Sequence, residues 1–337
     1  MELHRVDPDD TEAVASYARV TNETRAVDAP WEHTMTTAQA EGQLRLGWDL
    51  EPSTAFLAVV GGELVGMAEY GTSHWDNQHL AWLWIAVRPS VRRRGHGSAL
   101  LDLMIGRARA EGRTTIGVDG YESDHSRGFA ARHGLELRSQ ELCRRQYLAE
   151  LDRAALAVRR AEAAQHATAY ELVRRLGRTP EDELAAIAEM TASINDAPID
   201  DLDVEDEVYS ADRVRDYETA QLGQGMRMHR VFARHRETGE LAGHTVVAVS
   251  GERPEIAEQH DTSVVRAHRG HRLGLLLKAD MLDWLAETQP QVASIETWNA
   301  ESNDAMIGVN EMLGYRVEGR ALRFQRSLQS RSHPVPA

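Results

Sequence analysis

Val87-Arg88-Pro89-Ser90-Val91-Arg92-Arg93-Arg94-Gly95-His96-Gly97-Ser98 joins a strand-like run, Leu80 to Val87, to a helix whose apolar residues Leu100, Leu101, Met104, Ile105 and Ala108 share one face. Two glycines and several arginines at a helix start make an anion site. Free backbone N–H groups and the positive end of the helix dipole point outward, and positions without Cβ let a phosphate approach the main chain. The arginines add charge-assisted hydrogen bonds. A Walker A loop is excluded, because no Gly-Lys pair followed by Ser or Thr is present. A dinucleotide fingerprint fits only in part. Leu100 stands where its third glycine belongs, although Asp119 lies downstream at a suitable distance.

The stretch recurs. Gly97 and Gly274 are 177 positions apart, and so are Gly62 and Gly239. Asp28-Ala29-Pro30 returns as Asp196-Ala197-Pro198. Gly62-Glu63-Leu64 and Gly239-Glu240-Leu241 each separate two strand-like runs, as in a β-hairpin. Thr262 to Val265 leads into Arg269-Gly270-His271-Arg272-Leu273-Gly274 and a second amphipathic helix carrying Leu275, Leu276, Ala279, Leu282 and Leu285. Each helix precedes a strand, a short helix ending at Gly134 or Gly314, and two more strand candidates. Several different features at one spacing point to duplication. The predicted architecture is an α/β chain of two tandem domains, residues 1–153 and 169–330. An Ala-, Arg-, Glu- and Gln-rich helical connector spans 154–168, and a disordered tail covers 331–337.

Composition agrees. A length of 337 residues suits two cores, and 42% hydrophobic with 27% charged residues is a globular balance. A formal charge of -15 opposes polyphosphate partners, so no nucleic acid is expected, and it is compatible with a cationic acceptor. Cys143 is the only cysteine, which excludes an intrachain disulfide and a cysteine-based zinc site. No metal site is expected. No window reaches the roughly 18 to 20 apolar residues of a membrane span, and the N-terminal stretch has no apolar signal region. A cytoplasmic protein without membrane contact is the expectation.

The pattern Arg92-x-x-Gly95-x-Gly97 after a strand and before a long helix resembles the pyrophosphate loop of the GNAT superfamily of N-acetyltransferases. The order of strands and helices is similar in both halves, and the tandem layout resembles that of mycothiol synthase. The resemblance implies a twisted mixed β-sheet flanked by helices in each domain, with acetyl-CoA, or another acyl-CoA, lying where the fourth and fifth strands splay. It implies that pantetheine runs along Ile85, Ala86 and Val87, or along Val264 and Val265. It implies phosphates at Arg92, Arg93, Arg94, Gly95, His96, Gly97 and Ser98, or at Arg269, Gly270, His271, Arg272, Leu273 and Gly274. A cofactor-contacting asparagine falls at Asn299 or Asn303, where the first half has Glu122-Ser123-Asp124 instead. Arg272 replaces the first expected glycine of the second loop and threatens to crowd it.

Direct attack of an amine on a thioester needs a base, donors for the oxyanion and a proton for the thiolate. The tyrosine that serves as acid in the family falls at Ala130 and Asn310, leaving Tyr121 or Tyr315 as stand-ins. Candidate catalytic residues are His260, Asp261 and Glu296 in the second half, with Glu258 close by; the first half offers His79 and Glu69. The acidic run Asp196 to Asp206 lies in the acceptor-shaping region, as an ammonium recruiter or a solvated loop. Cys143 is not expected to act as a nucleophile. The expected function is acetyl transfer from acetyl-CoA to an amine of a small-molecule acceptor. The alternative is a catalytically degenerate acyl-CoA-binding regulatory or scaffold protein. Because the two copies can pair inside one chain, a monomer is expected.

Overall fold

A computed structural model of the chain describes residues 1–329; the expected tail, 331–337, lies outside them. The first half runs β1 (Glu2–Arg5), α1 (Thr11–Asp28), α2 (Thr37–Leu46), β2 (Thr54–Val60), β3 (Glu63–Gly71), β4 (Leu80–Val87), α3 (His96–Ala110), β5 (Thr115–Tyr121), α4 (Asp124–Arg132) and β6 (Glu136–Tyr147). After α5 (Arg153–His166) the order repeats as β7 (Tyr170–Leu176), α6 (Leu184–Thr191), α7 (Ala211–Gly223), β8 (Arg227–His235), β9 (Leu241–Val249) and β10 (Ile256–Val264). It ends with α8 (Leu273–Thr288), β11 (Ser294–Ala300), α9 (Asp304–Met312) and β12 (Arg316–Ser327).

All twelve strands form one sheet in the order β1-β2-β3-β4-β5-β12-β6-β11-β10-β9-β8-β7. The pairs β4–β5 and β10–β11 are parallel and the others antiparallel, so the sheet is mixed. Each half finishes with one strand of twelve residues, in place of the two short strands expected. Glu136–Tyr147 contains no Gly or Pro to turn it, and β12 absorbs Gly319 as an irregularity in its pairing. The final strands are exchanged: β12 pairs with β5 of the first half, and β6 with β11 of the second. Between them Ala321 faces Glu141 near the centre of an approximate twofold.

Helices cover both faces of each half. Leu100, Leu101, Met104, Ile105 and Ala108 of α3 pack on Ala68, Leu83 and Ile116, while Val14, Tyr17 and Val20 of α1 pack on Met67 and Ala86 from the opposite side. The α8 face packs likewise on Val247 and Ile295, and Leu156 and Ala163 of α5 join that core. Caps set the helix starts. Asp10 accepts from the N–H groups of Glu12 and Ala13, and Thr36 and Gln39 form a reciprocal capping box.

The acidic residues of the segment before α7 are exposed, and three of them bond to the first half. Asp200 accepts from Ser139 (2.5 Å), Asp203 from Thr115 (3.0 Å) and Glu205 from the Asn77 N–H (2.9 Å). Arg213 of α7 reaches back to Asp49 (2.9 Å) and Asp76 (2.5 Å) of the first half.

Candidate active site

β4 and β5 run paired from Leu80 opposite Thr115 to Trp84 opposite Asp119. They then part. Tyr121 pairs with Ala321 of β12, whereas Ile85, Ala86 and Val87 keep β3 as their only strand partner. One edge of β4 therefore carries backbone donors and acceptors without a strand partner, at the mouth of a V-shaped cleft. Trp82 wedges the cleft base: its ring lies against Gly117, where a Cβ would meet it at 2.3 Å, and its indole N–H donates to Asp119 (2.5 Å).

The cleft leads into the loop quoted at the outset. Arg93 (φ 66°) and Gly95 (φ 87°) are left-handed with Arg94 between them. The first α3 hydrogen bond runs from Ala99 N–H to Gly95 C=O (3.1 Å), so the N–H groups of His96, Gly97 and Ser98 have no intrahelical acceptor. Arg93 and Arg94 are exposed and engage no partner among the described residues. Arg92 turns back. Its Nε donates to the Val87 carbonyl (3.0 Å) and its terminal nitrogens to both Asp28 oxygens (2.8 and 2.5 Å). It thus fastens the loop to the end of α1, while Arg93 and Arg94 stay exposed. A Cβ on Gly97 would lie 3.2 Å from the Phe129 ring, so glycine lets α3 close on α4. Ser98 Oγ is 2.9 Å from His133 Nε2.

In the second half the parallel pairing is shorter, from Ile256 opposite Ser294 to Glu258 opposite Glu296. A register shift between Gln259 and Thr262 bends β10 away. The loop repeats the first one's backbone with the residue types exchanged: Gly270 (φ 87°) comes first and Arg272 (φ 55°) second. Arg272 does not crowd the loop. Its side chain is exposed, with Glu162 of α5 at 3.8 Å. Arg269 donates to the Val264 carbonyl (3.0 Å) and to Asp196 (2.6 Å), as Arg92 does to Val87 and Asp28. His271 lies against Tyr170, its Nδ1 3.3 Å from the His166 carbonyl. Leu273 is buried in the core, Gly274 is open to added atoms, and Val265 N–H bonds Ala242 C=O (2.9 Å).

Both expected asparagines have structural partners. Asn299 accepts from Asn310 (2.8 Å), which accepts from Lys278 Nζ (2.6 Å), and Asn303 caps α9 through the Met306 N–H (3.2 Å). Lys278 is buried above the Tyr315 ring (4.6 Å), and burial lowers its pKa to about 7. Tyr315 is itself buried in that core.

The expected catalytic residues fall in two places. His260 sits on the irregular part of β10 with Nδ1 2.6 Å from the Tyr217 hydroxyl and its ring 4.6 Å from Trp48. Asp261, beside it, lines a cavity of about 220 Å3 at the junction of the halves. Glu296 is held instead by Arg145 (2.5 Å), near Glu32, His33 and Cys143. Glu258 links the two groups, opposite Glu296 in register and 3.7 Å from His260. Cys143 is buried, which pushes its thiol pKa up, so it holds no thiolate at neutral pH.

An aromatic cluster at the mouth of the first cleft joins Tyr121, a stand-in acid in the sequence, to Trp31, Glu32 and Trp298, which carried no sequence signal of their own. Trp84 and Tyr121 meet edge-on at 5.2 Å, and Trp31 bridges from Tyr121 (5.6 Å) to Trp298 (5.7 Å). Tyr121 interacts with Arg25 and Glu32; burial pushes its phenol pKa up and raises the Glu32 carboxyl, with Arg25 opposing. Glu69, also raised by burial, accepts from the Tyr17 hydroxyl (2.8 Å). The repeated Asp28-Ala29-Pro30 marked this segment, but Trp31, Glu32 and His33 have no counterpart in the second copy that spacing alone exposes.

Residues 15–135, which include the whole first cleft and its loop, match the Acetyltransferase (GNAT) family. Among solved structures the chain is similar to a tandem GNAT protein from the clavulanic acid biosynthesis pathway, described without AcCoA. The identity is 26% and the TM-score 0.79, over 98% of this chain and 99% of that one. It shares its fold with a GCN5-related N-acetyltransferase from Sphaerobacter thermophilus (15% identity, TM-score 0.67, 98% and 96% covered). The same holds for a putative acetyltransferase from Pyrococcus horikoshii (14% identity, TM-score 0.57, 97% and 89% covered). No match was found among curated proteins.

Proposed function

We propose, from the match of residues 15–135 to the acetyltransferase (GNAT) family and the likeness of the whole chain to a tandem GNAT protein, that the protein transfers an acetyl group from acetyl-CoA to an amine of a small-molecule acceptor, with acetyl-CoA held in the first cleft. One observation carries the assignment to that cleft. The unpaired edge of Ile85, Ala86 and Val87 runs straight into a left-handed loop flanked by two unengaged arginines.

Acetyl-CoA supplies an activated thioester. The β4 edge offers backbone groups to the amides of its arm, and Arg93, Arg94 and the N–H groups of His96, Gly97 and Ser98 hold the pyrophosphate. That path ends beside Trp84 and Tyr121. There Glu32, its pKa raised by burial and hydrogen-bonded to Tyr121, accepts the proton that an ammonium must lose before it attacks; as the new C–N bond forms the C–S bond breaks, and the second N–H proton leaves with the CoA thiolate through water. Glu296, fixed by Arg145, lies near Glu32, while Asp261 lines the cavity at the junction of the halves with His260 next to it in the chain. Among the described residues no helix is long and apolar enough to cross a membrane.

The competing reading, an acyl-CoA-binding protein without turnover, is favoured by Ala130 and Asn310 at the family's tyrosine position. Release of free thiol from acetyl-CoA, followed while a panel of amines is added, separates the two. Amine-dependent release, lowered at least tenfold in kcat by Glu32→Gln, supports the transferase. Tight CoA binding with no amine-dependent release sinks it.

A further inference from the structure

Ser98 stands in the first turn of α3, and its Oγ lies 2.9 Å from Nε2 of His133 at the end of α4. Two further contacts hold the imidazole in place. Its ring meets the Phe129 ring at 4.6 Å, the same ring that lies 3.2 Å from where a Gly97 Cβ would stand, and Arg326 of β12 donates to the His133 carbonyl (2.8 Å). Both members of the pair are half-buried, so the ring can still exchange protons with water. The charged groups on the elements that meet there are mostly cationic: Arg93 and Arg94 in the loop with His96 beside them, Arg132 on α4 and Arg326 on β12. Asp102, one turn beyond Ser98 on α3, is exposed and makes no ion pair with His133 among the described residues.

The second copy has neither group. Leu275 stands 177 positions after Ser98, and Leu313 precedes Gly314 as His133 precedes Gly134; both leucines are buried in the core. The polar pair therefore accompanies the open cleft and is not a demand of the fold.

A hydroxyl has one proton to give. Where Nε2 is bare, Ser98 donates to the ring and shows the loop only lone pairs; where Nε2 carries a hydrogen, Ser98 accepts from the ring and its own O–H is free to turn to a phosphate oxygen. An imidazolium carries hydrogen on both nitrogens and adds positive charge beside the anion. On the reading that acetyl-CoA lies in the first cleft, we propose that His133 is a positioning residue for its pyrophosphate: protonated His133 donates to Ser98 and so turns the Ser98 hydroxyl into a phosphate donor. A ligand that prefers the imidazolium draws a proton onto it, so affinity is highest at the acid end of the range in which imidazoles titrate and falls as pH rises through it.

The test is calorimetric titration of the full chain with dephospho-CoA at pH 5.5 and 8.5. That probe keeps the pyrophosphate and lacks the 3′-phosphate, a monoester that would itself change charge at about pH 6. The wild type is expected to bind about fivefold or more tightly at the lower pH, the size of one hydrogen bond to a charged group. His133→Leu, the residue of the second copy, loses that dependence and binds weakly at both pH values. His133→Gln, which keeps an N–H, binds at both pH values about threefold or more tightly than the leucine variant. Ser98→Ala loses most of the dependence and keeps the test open if His133→Leu fails to fold, while His96→Gln retains it. The role of His133 is overturned by a flat wild-type profile, by a dependence that survives in His133→Leu or Ser98→Ala or vanishes in His96→Gln, or by equal binding of the glutamine and leucine variants. Gly97→Trp tells that failure from a wrong cleft: if it binds dephospho-CoA as the wild type does, or the wild type binds none, the placement of the cofactor fails and the role of His133 falls with it.

Discussion

Arg93 and Gly95 in the first half, and Gly270 and Arg272 in the second, occupy the same two left-handed positions with the residue types exchanged. Both loops are fastened alike, by an arginine that bonds the last carbonyl of the preceding strand segment and an aspartate from an Asp-Ala-Pro segment. The backbone of the anion loop is thus set by its anchors and by the start of the following helix, and the position of one glycine does not decide it. The surroundings differ. Behind the first loop the core holds Leu101 and Ala130, whereas behind the second it holds Lys278 and Asn310, and α5 reaches the second loop through Glu162 and the His166 carbonyl.

The sharpest way to break the comparison is to fill each loop. Gly97→Trp is expected to lower acetyl-CoA affinity more than 100-fold, because Phe129 blocks the inward direction and the indole must occupy the pyrophosphate position. Gly274→Trp, with nothing within 4 Å of its Cβ, is expected to leave affinity unchanged. Calorimetry checks both, with thermal unfolding as the folding control. Equal losses in the two variants would mean that both clefts load cofactor.

The duplication and the loop were legible because they rest on local signals: a repeated spacing, glycines near helix starts and a 3.6-residue apolar period. The exchange of β6 and β12 was not, because strand partnership across 180 residues leaves no local mark. The same limit hid part of the aromatic cluster. Tyr121 and Glu296 were candidates, but Trp31 and Glu32 come from another segment, and only the sheet order brings all four together. The anchoring of Arg92 and Arg269 was hidden for a related reason. A sequence shows that an arginine is near a phosphate loop, but not that Asp28, 64 residues before Arg92, or Asp196, 73 before Arg269, is bonded to it.

A second contrast is Lys278 against Leu101. The folded pKa of about 7 lies below the ordinary 10.5, so between those values the unfolded chain binds the proton and the folded one does not. Stability contributed by this site therefore rises with pH from about 7 to 10.5. Copying the first half, Lys278→Leu with Asn310→Ala, is expected to stabilise the fold by about 2 to 3 kcal/mol at pH 7 and to flatten that rise. Lys278→Leu alone gains less, since it leaves the buried Asn310 oxygen without its donor. Urea unfolding at pH 7, 8.5 and 10 measures both, and an unchanged slope would place the lysine in contact with solvent.

The two fasteners come next. Arg92 and Asp28 side chains are 23% and 13% exposed, so Arg92→Ala leaves a largely buried carboxylate with only the His125 ring (3.3 Å) beside it, at a cost of about 2 kcal/mol. Arg269 and Asp196 are 44% and 26% exposed, and Arg266 also holds Asp196, so Arg269→Ala is expected to cost clearly less. Urea midpoints compare them; a larger loss at Arg269 would show that the second loop depends on its fastener more than the first.

The smallest effect tests the backbone itself. A residue other than glycine in the left-handed region carries strain of about 1 kcal/mol, so Arg272→Gly is expected to raise stability by about 1 kcal/mol or less, part of the gain being offset by glycine's freedom in the unfolded chain. Combined with Gly270→Arg it gives the second loop the first loop's order, and the strain moves without growing. If loop sequence selects the cleft, this exchange, made in the Gly97→Trp background so that only the second cleft can respond, creates a new acetyl-CoA site. We expect no such gain by calorimetry. The backbone was already alike, and α5 beside the loop and Lys278 behind it remain in place.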